Sequence, residues 1–342
     1  MNTELFGHTP EGEAVHRITI SGGRLTAKVL TWGAVIQDLR LKGHEPPLVL
    51  GYQDFADYPA HSPYLGATVG RSINRIRGGE LTIDGETYAL ERNFHDRHNI
   101  HGGSRGAGKR SWDVVAVGSD YVTLTIQLGD GEMGFPGNLN ITCTYMLESK
   151  GTLAIRMDAV TDKPTICNLA HHSYFNLDDG GATDALDHQV RIDAAAYLPV
   201  DADLIPDGRV LPVAGTTHDF RDYRSIRREE RGAQVVYDNN FCLSSQRQPL
   251  RRVASAKGAK SGVELNVLTT EPGVQFYAGN TLGGRPPIGL TGNTYDNYAG
   301  FCFEAQVWPD STHFPYFPQA ILRPQETYSQ MTKYSFNKAK QA

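Results

Sequence analysis

Residues 80–90 read ELTIDGETYAL, two short runs of alternating polar and apolar residues separated by Asp84 and Gly85. Successive side chains of a β-strand point to opposite faces, so this alternation is typical of a strand with one buried face. An Asp-Gly pair between two such runs is a strong signal for a two-residue hairpin turn. The stretch therefore predicts an antiparallel β-hairpin.

The same period of two recurs along the chain, in segments that alternate or are rich in β-branched and aromatic residues. Besides the hairpin they are HRITIS (16–21), LTAKVLTWG (25–33), YVTLTIQL (121–128), LNITCTYML (139–147), TLAIRMDAV (152–160), HQVRIDAAAYLPV (188–200), GVELNVLTT (262–270), VQFYAGN (274–280) and FCFEAQV (301–307). Helical periodicity is nearly absent. The best candidate for a helix is the charged stretch RDYRSIRREERGAQ (221–234), which is either a surface turn or one helical piece.

Turn signals separate these segments every ten to fifteen residues, in a chain with 36 glycines and 18 prolines. There is no low-complexity linker, and no motif repeats at the period of about 40 residues that a propeller requires. We therefore predict that residues 1–342 form a single all-β domain, a large antiparallel β-sandwich with long loops.

Composition narrows the class of protein. A net charge of −5 and a pI near 6.2 argue against a nucleic-acid-binding protein, which usually carries a basic face. No run approaches the ~20 apolar residues that span a bilayer, and the polar N-terminus has no apolar core of a secretion signal. We expect a soluble, cytoplasmic protein that contacts neither membrane nor nucleic acid. The four cysteines are Cys143, Cys167, Cys242 and Cys302. No two of them form a C-x-x-C pair, so we expect buried free thiols that bind no metal.

Alternation assigns polar residues to faces of the predicted strands. In FCFEAQVWPD (301–310), Glu304 lies on the face opposite Phe301 and Phe303. A carboxylate on a strand is often solvent-exposed, but the aromatic neighbours here indicate a crowded, partly dry setting. Burial would raise the pKa of this carboxyl, so that it could carry a proton near neutral pH.

The same alternation applies to EPGVQFYAGN (271–280). There Gln275 and Tyr277 project to the face opposite Val274 and Phe276.

Two adjacent histidines stand in NLAHHSYFNL (168–177), and the same rule places them on opposite faces. His172 shares its face with Tyr174 and Asn176, whereas His171 is expected to turn toward the core. A hydrogen-bonded structural role is the alternative for His172. A histidine can exchange protons near neutral pH, which makes His172 a candidate for acid/base chemistry.

Loops supply the remaining candidates. His101 precedes a Gly-Gly turn in NIHGG (99–103), where the backbone can approach a ligand, although it could equally cap local amides. Asn74 and Arg75 lie in GRSINRIRGG (70–79), which lacks the pattern of a nucleotide-binding loop and has isoleucines on either side of the pair. Asp238, in VYDNNF, is either a turn residue or a ligand group between aromatic side chains.

Taken together, these segments resemble the galactose mutarotase (aldose 1-epimerase) family, nearly from end to end. The resemblance rests on VLGYQDFADY (49–58), GATVGRSINRI (66–76), IDG (83–85), NIHGG (99–103), NLAHHSYFNL (168–177), YLPVDADLIPDG (197–208), DF (219–220), YDNNF (237–241), TTEPGVQFYAGN (269–280) and FCFEAQVWPDS (301–311). Their number and common order make it highly specific. One departure is His171, where family members often have asparagine.

The resemblance implies a β-sandwich with an open sugar-binding cleft, no cofactor, and a monosaccharide substrate such as galactose or glucose. It implies that Glu304 removes the proton of the anomeric hydroxyl, that His172 protonates the ring oxygen, and that His101 assists. Both proton carriers are expected to be tuned toward neutral pH. The sugar hydroxyls would be held by Asn74, Arg75, Asp238 and Gln275, with an apolar platform from Tyr174 or Trp308.

Three alternatives stay open at the level of sequence. A sugar-binding β-sandwich without catalysis would not need the Glu/His pair. A hexose-6-phosphate epimerase of the same superfamily would need extra cations at the cleft rim, for which Arg71 and Arg77 are candidates. A glycosidase would need a second carboxylate, which only Asp238 could supply. The sequence does not distinguish a monomer from a homodimer.

Overall fold

The computed structural model describes residues 2–284 and 287–338. Nearly all regular structure in these ranges is β. The strands are β1 (Asn2–His8), β2 (Ala14–Gly22), β3 (Leu25–Leu30), β4 (Ile36–Leu41), β5 (Ala67–Val69), β6 (Arg75–Ile76), β7 (Glu80–Ile83), β8 (Glu86–Ala89), β9 (Asn99–Ile100), β10 (Asp113–Val117), β11 (Tyr121–Leu128), β12 (Leu139–Glu148), β13 (Thr152–Thr161), β14 (Thr165–Ile166), β15 (Ala170–His172), β16 (Tyr174–Phe175), β17 (Gln189–Ile192), β18 (Ala196–Tyr197), β19 (Leu211–Pro212), β20 (Arg224–Ser225), β21 (Glu229–Glu230), β22 (Ala233–Gln234), β23 (Asp238–Cys242), β24 (Arg251–Lys257), β25 (Val263–Thr269), β26 (Gly273–Tyr277), β27 (Phe301–Gln306), β28 (Ile321–Leu322) and β29 (Tyr328–Lys338).

Helical structure within the described ranges is limited to single turns. The helix α1 spans Asp57–His61. Four 3-10 turns lie at Arg77–Gly79, Ala107–Lys109, Glu132–Gly134 and Ser311–His313. None of the helices in the described part of the chain is long and apolar enough to cross a membrane.

The hairpin predicted from ELTIDGETYAL is confirmed. β7 and β8 pair antiparallel, with Ile83 opposite Glu86, which leaves Asp84 and Gly85 as the two-residue turn. Both turn residues have positive φ, 53° at Asp84 and 86° at Gly85. That combination matches the right-handed twist of the flanking strands and is the one for which Asp-Gly, like Asn-Gly, is strongly preferred.

Two large sheets and one smaller sheet account for most of the strands. A nine-stranded sheet has the order β10-β11-β12-β13-β29-β25-β24-β17-β20, a six-stranded sheet the order β16-β27-β26-β23-β18-β19, and a four-stranded sheet the order β1-β2-β3-β4. The long central strands pair antiparallel. The predicted all-β antiparallel fold is confirmed.

The core lies between the nine-stranded and six-stranded sheets. Phe301 and Phe303 of β27 belong to the same buried cluster as Tyr334 and Phe336 of β29. The rings of Phe175 and Tyr334 lie 5.0 Å apart, and the Tyr334 hydroxyl donates to the Phe303 carbonyl at 2.9 Å. Face-to-face packing of two antiparallel sheets defines a β-sandwich. The opposite face of β27 is therefore free to carry polar side chains.

Each alternating segment quoted above contains at least one strand, but the stretch 221–234 holds no helix. It forms β20, β21, β22 and the turns between them, so the surface-turn interpretation is right and the helical one is wrong. Arg221 and Arg227 bind nearby carboxylates at the surface, at 2.7 Å from Asp219 and Asp187. These ion pairs hold exposed loops, and no apolar stripe stabilises a helix here. The cysteines are free thiols, three buried and Cys242 partly buried.

Candidate active site

One cavity of about 460 Å³ collects most of the predicted site residues. It lies above the polar face of β23, β26 and β27, where the loops that carry β6 and β9 and the end of β15 come together. Seven of the eight predicted residues line it; they are Asn74, Arg75, His101, His172, Tyr174, Asp238 and Glu304. The eighth, Gln275, lies behind them.

Strand pairing explains how distant segments meet. Glu304 of β27 lies opposite Gln275 of β26, and Asp238 of β23 lies opposite Tyr277 of β26. On the other side of β27, Tyr174 of β16 lies opposite Cys302. Directly paired residues of antiparallel strands share a face, so this sheet presents one polar surface to the cavity.

Glu304 and His172 face each other on this surface. His172 Nε2 lies 3.5 Å from Glu304 Oε2, and the two side chains are 5% and 3% exposed. β15 ends at His172, one residue before β16 joins the sheet beside β27. The carboxyl and imidazole therefore lie at the cavity wall, close enough for a single proton to move between them or through a bound hydroxyl.

Burial shifts both groups toward their uncharged forms. It raises the pKa of Glu304 well above its usual value, with a further rise from nearby Asp238 and an opposing effect from Arg75. It lowers the pKa of His172 to about 4, partly offset by its own backbone hydrogen bond and by Asp238. The raised carboxyl agrees with the expectation from sequence. The expectation that His172 is tuned toward neutrality is wrong, because a fully enclosed imidazole loses hydration that its charged form needs.

Asp238 connects the remaining polar groups. Its Oδ2 lies 3.3 Å from an Arg75 guanidinium nitrogen, and its Oδ1 accepts a hydrogen bond from Gln275 Nε2 at 2.6 Å. The Arg75 guanidinium also lies over the Phe94 ring, 4.8 Å from its centre. Gln275 thus acts on Asp238 rather than lining the cavity, which sequence alternation could not show. Asp238 begins β23, so the alternative of a turn residue is not supported.

Backbone geometry orients Asn74 and His101. Both have positive φ, 63° and 54°, and the His101 amide donates to the Asn74 carbonyl at 3.0 Å. The Asn74 amide in turn donates to His101 Nδ1 at 3.2 Å. A ring nitrogen that accepts this bond carries no proton, so in neutral His101 the proton lies on Nε2. Burial, with smaller effects of His172 and Arg75, holds the pKa of His101 well below its usual value.

Aromatic rings complete the cavity wall. Tyr174 stacks on His172 with ring centres 5.1 Å apart, and Tyr64 lies 4.7 Å from His101. Tyr277 meets Tyr174 edge-on at 5.9 Å. Of these lining residues, Tyr64 and Phe94 were not among the sequence candidates, because they lie in loops without periodicity. The alternation in β26 had indicated only that Tyr277 shares a face with Gln275.

His171 lies outside the cavity, as expected. Its ring is buried between Tyr145 and Tyr334, at 5.8 and 6.0 Å, and its Nε2 lies 2.6 Å from the Ser173 hydroxyl. Trp308, which had been an alternative platform for the sugar, packs with Leu198 and Phe317 in a separate cluster. It is not among the residues that line the cavity.

The two arginines considered for a phosphate also lie elsewhere. Arg71 is buried, and its guanidinium donates to the carbonyls of Pro136, Gly137 and Gly129. Arg77 interacts with Asp310 and Asp201 and donates to the Pro206 carbonyl. Both guanidinium groups are committed to structural contacts, so neither is placed to hold a ligand in this cavity.

One group of potential metal ligands occurs within the described residues. It consists of His172, Cys302 and Glu304, whose donor atoms all lie within 4.8 Å of one another. Proton exchange between a carboxyl and an imidazole does not require a metal.

A buried carboxyl–imidazole pair in an aromatic-walled cavity of a β-sandwich is an arrangement suited to acid/base chemistry on a small polar ligand. A sequence model of the family described as aldose 1-epimerase matches residues 16–335. The galactose mutarotase of Rattus norvegicus is 39% identical over 340 residues, covering 98% of each chain. The aldose 1-epimerase of Escherichia coli is 35% identical over 347 residues, covering 98% of this chain and 99% of the relative. The chain therefore belongs to the aldose 1-epimerase family.

Solved structures agree with this assignment. The crystal structure of an aldose epimerase homologue from C. elegans superposes with a TM-score of 0.87 at 29% identity, covering 95% of this chain and 99% of that one. Because the family consists of carbohydrate epimerases, the protein is an enzyme of the isomerase class.

Proposed function

We propose that this protein interconverts the α and β anomers of a neutral hexose such as galactose or glucose, with Glu304 and His172 as the proton carriers. The observation that carries the proposal is their 3.5 Å approach in the wall of the cavity. The names of the relatives, galactose mutarotase and aldose 1-epimerase, support the same reaction.

The reaction opens a hemiacetal ring, allows rotation about the C1–C2 bond, and closes the ring on the other face. In ring opening, Glu304 removes the proton from the anomeric hydroxyl while His172 gives a proton to the ring oxygen. Ring closure reverses both transfers, with Glu304 as acid and His172 as base. Each transfer typically contributes about 10²–10⁴-fold to the rate.

The pair needs one proton in total throughout this cycle. Burial favours the arrangement with the proton on Glu304 and a neutral His172, which is the arrangement required for ring closure. Ring opening requires the same proton on His172. The two arrangements differ only in the position of one proton, so the site can work in both directions without exchange with solvent.

The groups around the pair support binding of hydroxyls. Asp238 offers carboxylate oxygens and Arg75 offers guanidinium donors, held together at 3.3 Å. His101, with its proton on Nε2, offers a neutral donor beside them, and we propose that it assists at the sugar. Asn74 is proposed as a further hydroxyl contact, and Gln275 as a contributor through its bond to Asp238. The Tyr174 ring provides an apolar surface for the C–H face of the sugar.

A neutral sugar fits this cavity better than a sugar phosphate. Among its lining residues in the described ranges, Arg75 is the one Lys or Arg side chain, and it is paired with Asp238. A phosphate ester carries nearly two negative charges and is usually held by unpaired arginines or lysines. Arg71 and Arg77, which could have supplied them, have other partners.

We also propose that residues 1–342 act as one domain with this single site. The family match over 16–335 supports this, as does a core cluster that includes residues from Ile18 to Phe336.

Polarimetry on freshly dissolved α-galactose and α-glucose tests the proposed activity. The protein should accelerate relaxation of the optical rotation to its equilibrium value for at least one of them, in proportion to enzyme concentration. A noncatalytic sugar-binding protein would bind the sugar and leave the relaxation rate unchanged, and that result would contradict the proposal.

A further inference from the structure

A thiol stands beside the catalytic pair without a part in the proton transfers. Cys302 Sγ lies 3.6 Å from His172 Nδ1, while Glu304 Oε2 lies 3.5 Å from Nε2 of the same ring. All three residues are buried, and one donor atom from each lies within 4.8 Å of the others. Cys302 and Glu304 point to the same side because they are two residues apart on β27.

The dimensions of a tetrahedral metal site set how far the three side chains would have to move to hold one ion. Zinc lies about 2.3 Å from thiolate sulfur and about 2.0 Å from imidazole nitrogen or carboxylate oxygen. At tetrahedral angles, such bonds place neighbouring donor atoms roughly 3.3–3.6 Å apart. The donor atoms of the cluster lie within 4.8 Å of one another. Cys302 lies beside Nδ1 and Glu304 beside Nε2, so the His172 ring and the Glu304 carboxyl must rotate to place three donors around one ion.

Binding of a divalent cation would require Cys302 to lose its proton. Burial, with Glu304 and Asp238 adding to it, raises the pKa of the Cys302 thiol well above its usual value. A bound ion would displace the thiol proton, and the proton of Glu304 when present, to solvent. The resulting thiolate and carboxylate together balance a charge of +2, so the filled site is neutral. Asp238 is already paired with Arg75 and adds little net charge.

The cavity provides a route to the cluster. His172 and Glu304 line it directly, and Tyr174, which pairs with Cys302 across β16 and β27, lines it as well. The fourth coordination position would therefore face the cavity, where water or a sugar hydroxyl can occupy it. A thiolate and an imidazole select zinc-like ions over magnesium or calcium, which prefer oxygen ligands.

We propose that His172, Cys302 and Glu304 form a binding site for a thiophilic divalent cation of the zinc class, and that the bound ion reversibly inhibits the enzyme. An ion on the Glu304 carboxylate and a His172 nitrogen occupies both proton carriers at once. The inhibitory consequence rests on the proposed function, whereas binding of the ion does not.

Cobalt(II) gives a direct test of binding. Protein stripped with a chelator and reduced is titrated with Co²⁺ while absorbance is recorded. One equivalent should produce visible bands of tetrahedral cobalt and a near-ultraviolet thiolate-to-cobalt band, both lost when Zn²⁺ is added. Absence of a thiolate band at one equivalent would overturn the proposed site.

Matched cysteine variants assign the sulfur ligand. Cys302→Ser and Cys302→Ala should lose the thiolate band, whereas Cys143→Ser, at a buried thiol near Thr68 and Tyr145, should keep it. A band that survives in both Cys302 variants would overturn the assignment. Use of two substitutions guards against misfolding of one, which circular dichroism would reveal.

Inhibition is measured on each variant relative to its own metal-free rate. Zn²⁺ should inhibit the unsubstituted enzyme and the Cys143 variant, with full recovery on chelation, and Mg²⁺ should not inhibit. The Cys302 variants lose a direct ligand of the ion. Loss of a residue that only supports a ligand weakens metal binding by up to roughly 100-fold, so we expect the half-inhibitory Zn²⁺ concentration of these variants to rise by roughly 100-fold. Equal inhibition of all variants would overturn the proposal.

Failure of the proposed function would give a different result. A metal-free protein that does not accelerate mutarotation would contradict the proposed function, while the cobalt spectrum would still report whether the metal site exists.

Discussion

Replacing Glu304 by glutamine should separate catalysis from stability. Glutamine has nearly the same shape and volume as glutamate but cannot remove a proton from the sugar. Loss of one general base typically costs about 10²–10⁴-fold, which is about 3–5 kcal/mol of transition-state stabilisation. We therefore expect kcat of E304Q, measured by polarimetry, to fall by at least about 100-fold.

The same substitution should not destabilise the fold at alkaline pH. Burial raises the pKa of Glu304 in the folded protein above its ordinary value of 4.5. The protonated carboxyl contributes to the stability of the folded state. This contribution is fully present below the pKa that Glu304 has in the unfolded chain, and it is lost as pH rises through the pKa that Glu304 has in the folded protein. Each tenfold difference in proton affinity corresponds to about 1.4 kcal/mol. The unfolding free energy of E304Q relative to the unsubstituted protein should therefore increase as pH rises above the ordinary carboxyl pKa of 4.5.

Urea denaturation at several pH values measures this trend. Glu264→Gln is a matched control, because Glu264 lies on β25 and contacts Lys257 at 2.9 Å with 37% of its side chain exposed. It should leave both activity and the pH trend unchanged. The reasoning is refuted if E304Q keeps more than about a tenth of the activity, or if its relative stability does not depend on pH.

Three further outcomes follow from the site and the hairpin. The pH dependence of kcat/KM should be a broad plateau, falling on the acid side near the His172 pKa of about 4 and on the alkaline side as Glu304 loses its proton. A single acid limb centred near the ordinary histidine pKa would contradict this. Asp238→Asn should lower kcat/KM roughly 10- to 100-fold, as expected for loss of charged hydrogen bonds. It should also move both limbs to lower pH, because Asp238 raises the pKa of each carrier; limbs that stay in place would count against that coupling. Gly85→Ala should cost about 1–2 kcal/mol in urea denaturation, because φ is 86° there. No atom within 4 Å hinders a methyl group at that position, so an unchanged unfolding free energy would show that the turn is not strained.

Local patterns made most of the strands predictable. Alternation is a property of neighbouring residues, so it identified β27 and correctly placed Glu304 opposite Phe301 and Phe303. It also separated His171 from His172 before any contact was known. Strands with weaker patterns were not recognised from sequence, among them β24 and the C-terminal β29, which lies at the centre of the nine-stranded sheet. Their residues become regular because neighbouring strands supply hydrogen bonds, which a local pattern does not contain.

The sequence by itself determined the all-β architecture, the Asp84–Gly85 turn and the faces of Glu304, Gln275 and the two histidines, because these follow from backbone sterics and a period of two. Family motifs then named the candidate proton carriers. Only the tertiary structure decided that Glu304 and His172 meet at 3.5 Å, that Gln275 donates a hydrogen bond to Asp238, and that Trp308 lies outside the cavity. It also decided that burial moves the His172 pKa to about 4, against expectation. These features depend on which distant strands pair and on how much water they exclude, and neither quantity is local to any stretch of sequence.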